Sequence, residues 1–156
     1  MISSQIGSLD KFFSGGLQNG IITQISGLRG TGKTHLALQF AIQSLSKNEK
    51  VLFIDTTVEF RPERFLQMLQ SRNLPSSLLE NLHISHVTDT QKQIDVLEHF
   101  QNNHFSLLII DNISSSIASP GRMSYLSISC FIVISDVSGS TVSGSTVSGS
   151  TSLSNV

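Results

Sequence analysis

Eight consecutive residues, Gly27-Leu28-Arg29-Gly30-Thr31-Gly32-Lys33-Thr34, fit the pattern G-x-x-x-x-G-K-[ST]. Each position in that spacing has a chemical reason. Glycines let the backbone curl until its N–H groups point inward around a phosphate. The loop feeds a helix, whose first-turn N–H groups and dipole favour an anion. Lys33 can reach the β- and γ-phosphates of a nucleotide, and the Thr34 hydroxyl can ligate Mg²⁺. A Gly-rich turn matching by chance would not need a strand before it and a helix after it, and both are expected here. Asp111 is the expected second magnesium residue. A carboxylate at the C-terminal end of an apolar strand is badly placed for packing but well placed to hold Mg²⁺ or its water beside Thr34. An apolar run ending in Asp is a weak signal alone. Downstream of a phosphate loop it is the expected partner.

These groups need a scaffold, and the hydrophobic pattern supplies one. Ile21-Ile22-Thr23-Gln24-Ile25 reads as a short strand ending at Gly27. Lys33 to about Ser46 reads as a helix whose Leu36, Leu38, Phe40, Ala41 and Leu45 form an apolar wall. Val51-Leu52-Phe53-Ile54 is a continuous apolar run, the signature of a buried parallel strand. Pro62 can open the next helix at its first position, with Phe65, Leu66, Met68 and Leu69 facing inward. Leu82–Val87 is a third strand, Thr90–Asn102 a third helix, and Leu107–Ile110 a fourth strand closed by Asp111. Such alternation predicts an α/β fold, a parallel sheet covered by helices.

The chain has 156 residues, room for one ordinary domain. Lys plus Arg is 10 and Asp plus Glu is 11, so a strongly basic nucleic-acid surface is excluded as the main design. One cysteine, Cys130, excludes an internal disulfide and a Cys-based zinc cluster. The start, MISSQIGSLDKFF, lacks a basic segment followed by an apolar one, so no signal peptide is expected. No apolar run approaches the ~20 residues that span a bilayer. The expectation is a soluble intracellular protein without a membrane partner.

Composition changes near Asn112. Residues 1–111 carry 19 charged side chains, whereas residues 112–156 carry two, Arg122 and Asp136, and 16 serines. VSGST occurs three times in tandem over 137–151. Such a tract buries too little apolar area to offset its ordering entropy. The expected organisation is a nucleotide-binding core over 1–117, an uncertain stretch 118–136 with Tyr125–Ile134 as a possible extra strand, and a disordered tail 137–156.

Three segments resemble one family. Ser8-Leu9-Asp10-Lys11-Phe12-Phe13-Ser14-Gly15-Gly16-Leu17 through Gly20 resembles the "LD-x-x-L-x-GG…G" lead-in of RecA-like recombinases. Val51-Leu52-Phe53-Ile54-Asp55-Thr56, followed by Phe60-Arg61-Pro62-Glu63-Arg64, is similar to the archaeal and eukaryotic strand-exchange recombinases and their paralogues. Ser106 to Ser114, SLLIIDNIS, is similar to their second nucleotide motif. The match covers about 8–114. It implies a P-loop, RecA-like core that is incomplete at the C-terminus, ATP and Mg²⁺ as ligands, a role in homologous-recombination DNA repair, and assembly with related subunits. DNA would be met only through such a complex. The implied location is nuclear in a eukaryote and cytoplasmic otherwise. Gly27, Gly32, Lys33 and Thr34 carry over as the phosphate and magnesium site, and Asp111 as the second magnesium residue.

Two departures qualify the implied activity. Active recombinases have a glutamate directly after "D-T", which orients the attacking water; Thr57 stands there. A hydroxyl cannot take a proton at neutral pH as a carboxylate can. Glu59 is the nearby substitute, with a solvent-facing loop glutamate as its plainer reading. Second, the family continues past its second motif through a helix, two DNA-contacting loops and more strands. Here only 24 residues separate Asp111 from Ser135. Four readings follow: a regulatory paralogue with weak or no hydrolysis, an active DNA-dependent ATPase using Glu59, a P-loop small-molecule kinase, and a truncated, unstable product with no activity. Among the activities the kinase ranks last, because only Arg122 follows Asp111 to supply a lid. Other residues have ordinary readings. His83 and His86, three apart on a strand, face opposite ways and cannot share a metal. His35 reads as a surface or interface residue. Arg61 and Arg64 are expected to make local ion pairs with groups such as Glu63.

Overall fold

The apolar runs Val51–Ile54 and Leu107–Ile110 have no polar interruption, so both faces of each strand must be covered. In the computed structural model every residue of both strands is buried. The structure describes residues 1–28, 30–89, 91–93, 95–96 and 104–111, together with the backbone of 128–134. The elements in chain order are α1 (Gly7–Phe12), β1 (Ile22–Gly27), α2 (Lys33–Ser46), β2 (Val51–Asp55), α3 (Pro62–Gln70), a 3₁₀ turn (Ser76–Asn81), β3 (Leu82–His86), β4 (Leu107–Asp111) and β5 (Ile128–Ile134).

The strands form one sheet in the order β1-β5-β4-β2-β3. β2 is parallel to both β3 and β4. β5 lies antiparallel between β1 and β4, so β1 runs in the same direction as β4. The expected parallel sheet thus holds for β1 to β4, and β5 is the one reversed strand among those described. The extra strand anticipated within Tyr125–Ile134 occupies Ile128–Ile134. The rest of 118–136, the repeats of 137–156 and most of the anticipated third helix lie outside the described residues; residues 91–93 and 95–96 of that helix are helical.

Alternation along the strands divides the core into two layers. Val51, Phe53, Leu107 and Ile109 pack with Ala37, Phe40, Ala41 and Leu45 of α2 and with Phe65, Met68 and Leu69 of α3. Leu52, Ile54, Leu108 and Ile110 pack on the other face with Val87 and Phe105. Each large apolar side chain buried here contributes about 1.5–3 kcal/mol relative to exposure. In α3, Phe65, Met68 and Leu69 follow the i, i+3, i+4 spacing of one helical face. Pro62 sits in its first turn, as expected, with Glu63 beside it, where a negative charge suits the helix dipole.

The parallel arrangement has a consequence for chemistry. It brings the C-terminal ends of β1, β2 and β4 to one edge of the sheet. In open α/β sheets that edge is where ligands bind. The Gly27–Thr34 loop, Asp55 and Asp111 all lie there.

Candidate nucleotide and magnesium site

The loop between β1 and α2 is held by its own polar groups. Gly30 and Gly32 adopt φ of 82° and 89°, the left-handed region that favours glycine. Gly32 is the N-cap of α2 and has no side chain to cap it, so the first-turn N–H groups keep their capacity for an anion. The Thr31 hydroxyl donates to the Leu28 carbonyl at 2.8 Å. Lys33 is 8% exposed, which is unusual for a lysine. Its ammonium donates to the carbonyls of Gly27 (2.9 Å) and Leu28 (2.7 Å) and approaches the Thr31 hydroxyl at 3.4 Å. All three acceptors are neutral oxygens. Phosphate oxygens are charged and form stronger, shorter bonds with the same donor. Arg29 lies outside the described residues.

The helix start and the strand end meet through Thr34 and Asp111. Thr34 Oγ1 donates to Asp111 Oδ2 at 2.7 Å. Burial pushes the Asp111 carboxyl above the usual carboxylate range. The bond from Thr34 and the charge of Lys33 oppose that rise, while the charges of Asp55 and Glu59 add to it. A buried carboxylate with two acidic neighbours is a site that a cation relieves. The donor set fits magnesium, which takes hard oxygen ligands, usually few from protein, and completes its shell with phosphates and water. Among the described residues no three His, Cys, Asp or Glu side chains converge closely enough to hold a metal by themselves. A hydroxyl and one carboxylate at the mouth of a phosphate loop match that economy.

Asp55 was not singled out as a functional residue from sequence. It lies directly opposite Asp111 in the β2–β4 register and is 1% exposed. Its Oδ1 accepts from the Thr57 N–H (3.0 Å) and the Thr57 hydroxyl (3.1 Å), and its Oδ2 accepts from the Phe60 N–H (2.7 Å). His86 Nδ1 lies 3.4 Å from Oδ2. Burial pushes this carboxyl up, but the backbone N–H groups of Phe60, Thr57 and Glu59 outweigh it and hold Asp55 below the usual range. The Thr56 hydroxyl donates to the Asp111 carbonyl at 2.9 Å, tying the two strand ends together.

The other sequence-derived candidates fall as follows. Glu59 is on the exposed turn after β2, and its charge is felt at Asp111. His83 and His86 do part: His83 meets the Phe105 ring edge-on at 5.0 Å, and His86 turns to Asp55. Arg64 does not pair with Glu63. It donates to Gln67 at 3.4 Å, because sequence neighbours on a helix point apart and residues three on share a face. His35 is exposed and borders a cleft of about 440 Å³ beside the loop, walled by Ile6, Leu9, Ile25 and Leu36. Among the described residues no helix is long and apolar enough to cross a membrane.

Comparison with known proteins shows the family. The Rad51 family model matches residues 1–122. The chain belongs to the Rad51 family. Its similarity to DNA repair and recombination protein RadB from Pyrococcus furiosus is 33% identity over 129 residues, 80% of this chain and 56% of that protein. With RadB from Thermococcus sibiricus it shares 36% over 119 residues, 74% of this chain and 51% of the relative. A crystal structure of the RadB recombinase superposes with a TM-score of 0.65 at 30% identity, covering 80% of this chain and 57% of the other. The chain therefore spans little more than half the length of the curated relatives it matches. The Rad51-family match includes the phosphate loop, the turn after β2 and Asp111, so the polar groups described above all lie within the matched region.

Proposed function

We propose that this Rad51-family chain binds Mg·ATP and serves DNA repair by recombination as a regulatory or assembly subunit. The observation that carries the reading is the Thr34–Asp111 hydrogen bond at the start of α2. It joins the end of the loop to the end of β4 where a phosphate-bound magnesium would need two hard oxygens. Lys33 would exchange its loop carbonyls for phosphate oxygens. The first-turn N–H groups of α2 would face the same phosphates. Magnesium, when bound, would neutralise phosphate charge and relieve Asp111.

Slow or absent hydrolysis is part of this reading, because Thr57 supplies a hydroxyl to Asp55 instead of a carboxylate to water. A second reading, a DNA-dependent ATPase, rests on Glu59, an exposed carboxylate two residues past Thr57 on the turn after β2. The names of the RadB relatives support the repair and recombination role. Related recombinase subunits are the proposed partners, with DNA reached through them, and the proposed location is the nucleus in a eukaryote and the cytoplasm otherwise.

The test is thermal unfolding of the wild type and Lys33→Ala with and without Mg·ATP. Ligand at 100 times Kd stabilises the folded state by about 2.7 kcal/mol. Wild type should show the corresponding rise in Tm and Lys33→Ala should lose most of it. Equal shifts in both would sink the proposal.

A further inference from the structure

The turn after β2 is built on one buried carboxylate. Asp55 gathers the N–H groups of Thr57, Glu59 and Phe60 and the Thr57 hydroxyl. Inside this turn Val58 has φ of 58°. A β-branched side chain in the left-handed region is strained, and it persists only where the surroundings fix it. Two fixings are present. One is the Asp55 carboxylate. The other is Phe60, whose ring packs 5.2 Å from Phe53 and 6.2 Å from Phe65. Val58 gains little from packing, because its side chain is largely exposed. The strain therefore serves the path of the backbone, and that path sets where Glu59 stands.

We infer that Asp55 is a positioning residue of the magnesium site: by gathering the donors of the 57–60 turn it fixes that turn, and Glu59 within it, beside the strand end that carries Asp111. This rests on the reading of Thr34 and Asp111 as magnesium ligands. Asp55 does not bind the metal. It lies in register with Asp111 and supplies the fixed end of the turn. The charge of Glu59, felt at Asp111, adds to the field at the cation from outside its shell.

Four variants of the full chain test this: Asp55→Asn, Glu59→Gln, their double, and Thr57→Val. Two readouts are needed. Amide hydrogen exchange of the ligand-free protein reports the turn itself. ATP affinity across a magnesium titration reports the site. Asp55→Asn should expose the amides of Thr57, Glu59 and Phe60 to exchange. It should raise the magnesium needed for tight ATP binding by about 10-fold, the scale seen when a partner that orients a metal site is removed. Glu59→Gln should raise it less. The double variant should be no worse than Asp55→Asn alone, because a released turn no longer presents Glu59. Thr57→Val keeps the Asp55 charge and removes one donor, so part of the loss in this variant shows positioning rather than charge. It also keeps the test alive if Asp55→Asn does not fold. Unchanged exchange in Asp55→Asn, effects that multiply in the double, or a Thr57→Val profile equal to wild type would each overturn the inference. Wild-type ATP binding indifferent to Mg²⁺ would remove the magnesium site and this inference with it. Magnesium-dependent wild-type binding with an unchanged Asp55→Asn profile would remove the inference alone.

Discussion

Thr34 and Asp111, 77 residues apart in sequence, are joined by a hydrogen bond of 2.7 Å between the first turn of α2 and the last residue of β4. The bond has two sides. It steadies a carboxylate that burial and neighbouring acids oppose, and it brings two oxygens to one point at the end of the phosphate loop.

That tension predicts opposite effects of one substitution. Asp111 has its pKa raised by burial first and by Asp55 as well, so its ionised form costs stability at neutral pH. The raised value means that this cost is absent below the ordinary aspartate value of 3.8 and builds as pH rises from there through the folded value. Asp111→Asn should therefore leave the ligand-free protein as stable as wild type or more so at pH 7, while Mg²⁺ no longer improves ATP binding. Unfolding curves and a magnesium titration read the two effects separately. A large loss of stability together with intact magnesium dependence would refute the assignment.

Position 57 bears on catalysis. Thr57→Glu should raise ATP turnover above a low wild-type rate by about 10²-fold, the lower range for a positioned general base. The substitution also removes a hydroxyl donor from Asp55, so the rise is expected in kcat with some loss of stability. Glu59→Gln should leave the wild-type rate nearly unchanged. If wild type turns ATP over briskly and Glu59→Gln abolishes it, Glu59 is the base and the second reading stands.

Acid unfolding should run through Asp55. Its pKa is held below 3.8 by the turn's N–H groups against the effect of burial. A depressed folded value gives stability that is fully present above 3.8 and lost as pH falls through the folded value. Wild type should therefore lose stability along this acid limb, and Asp55→Asn should start lower and show a flatter limb. Parallel limbs in the two proteins would show that Asp55 is not the titrating group.

DNA binding by this chain alone is expected to be weak. Residues 1–111 carry nine Lys and Arg against ten Asp and Glu, and residues 112–156 carry a single cation. Counterion release grows with the number of phosphates neutralised, so such a balance gains little. Fluorescence anisotropy with single-stranded DNA at near-physiological salt, with and without ATP, measures this. Saturable submicromolar binding would move the assignment to the DNA-dependent ATPase.

The Gly27–Thr34 loop was legible because its pattern is local. Gly27 to Thr34 are consecutive, and a strand before and a helix after are set by short-range pattern. β2 and β4 were legible too, since five consecutive buried residues leave no polar side for solvent. Asp111 was placed by its position at the end of such a run. The direction of β5 was not, because an apolar run does not say which way it pairs. Nor did anything in the spacing of Asp55, Thr57 and Phe60 announce a carboxylate collecting turn amides around a strained Val58. That arrangement depends on Phe60 reaching Phe53 and Phe65 and on β2 ending level with β4. Sequence by itself therefore determined which groups can do chemistry and which strands carry them, through local spacing and the need to bury apolar surface. Only the tertiary structure decided that Thr34 meets Asp111 and that Asp55 stands beside it, because register and long-range packing set those distances.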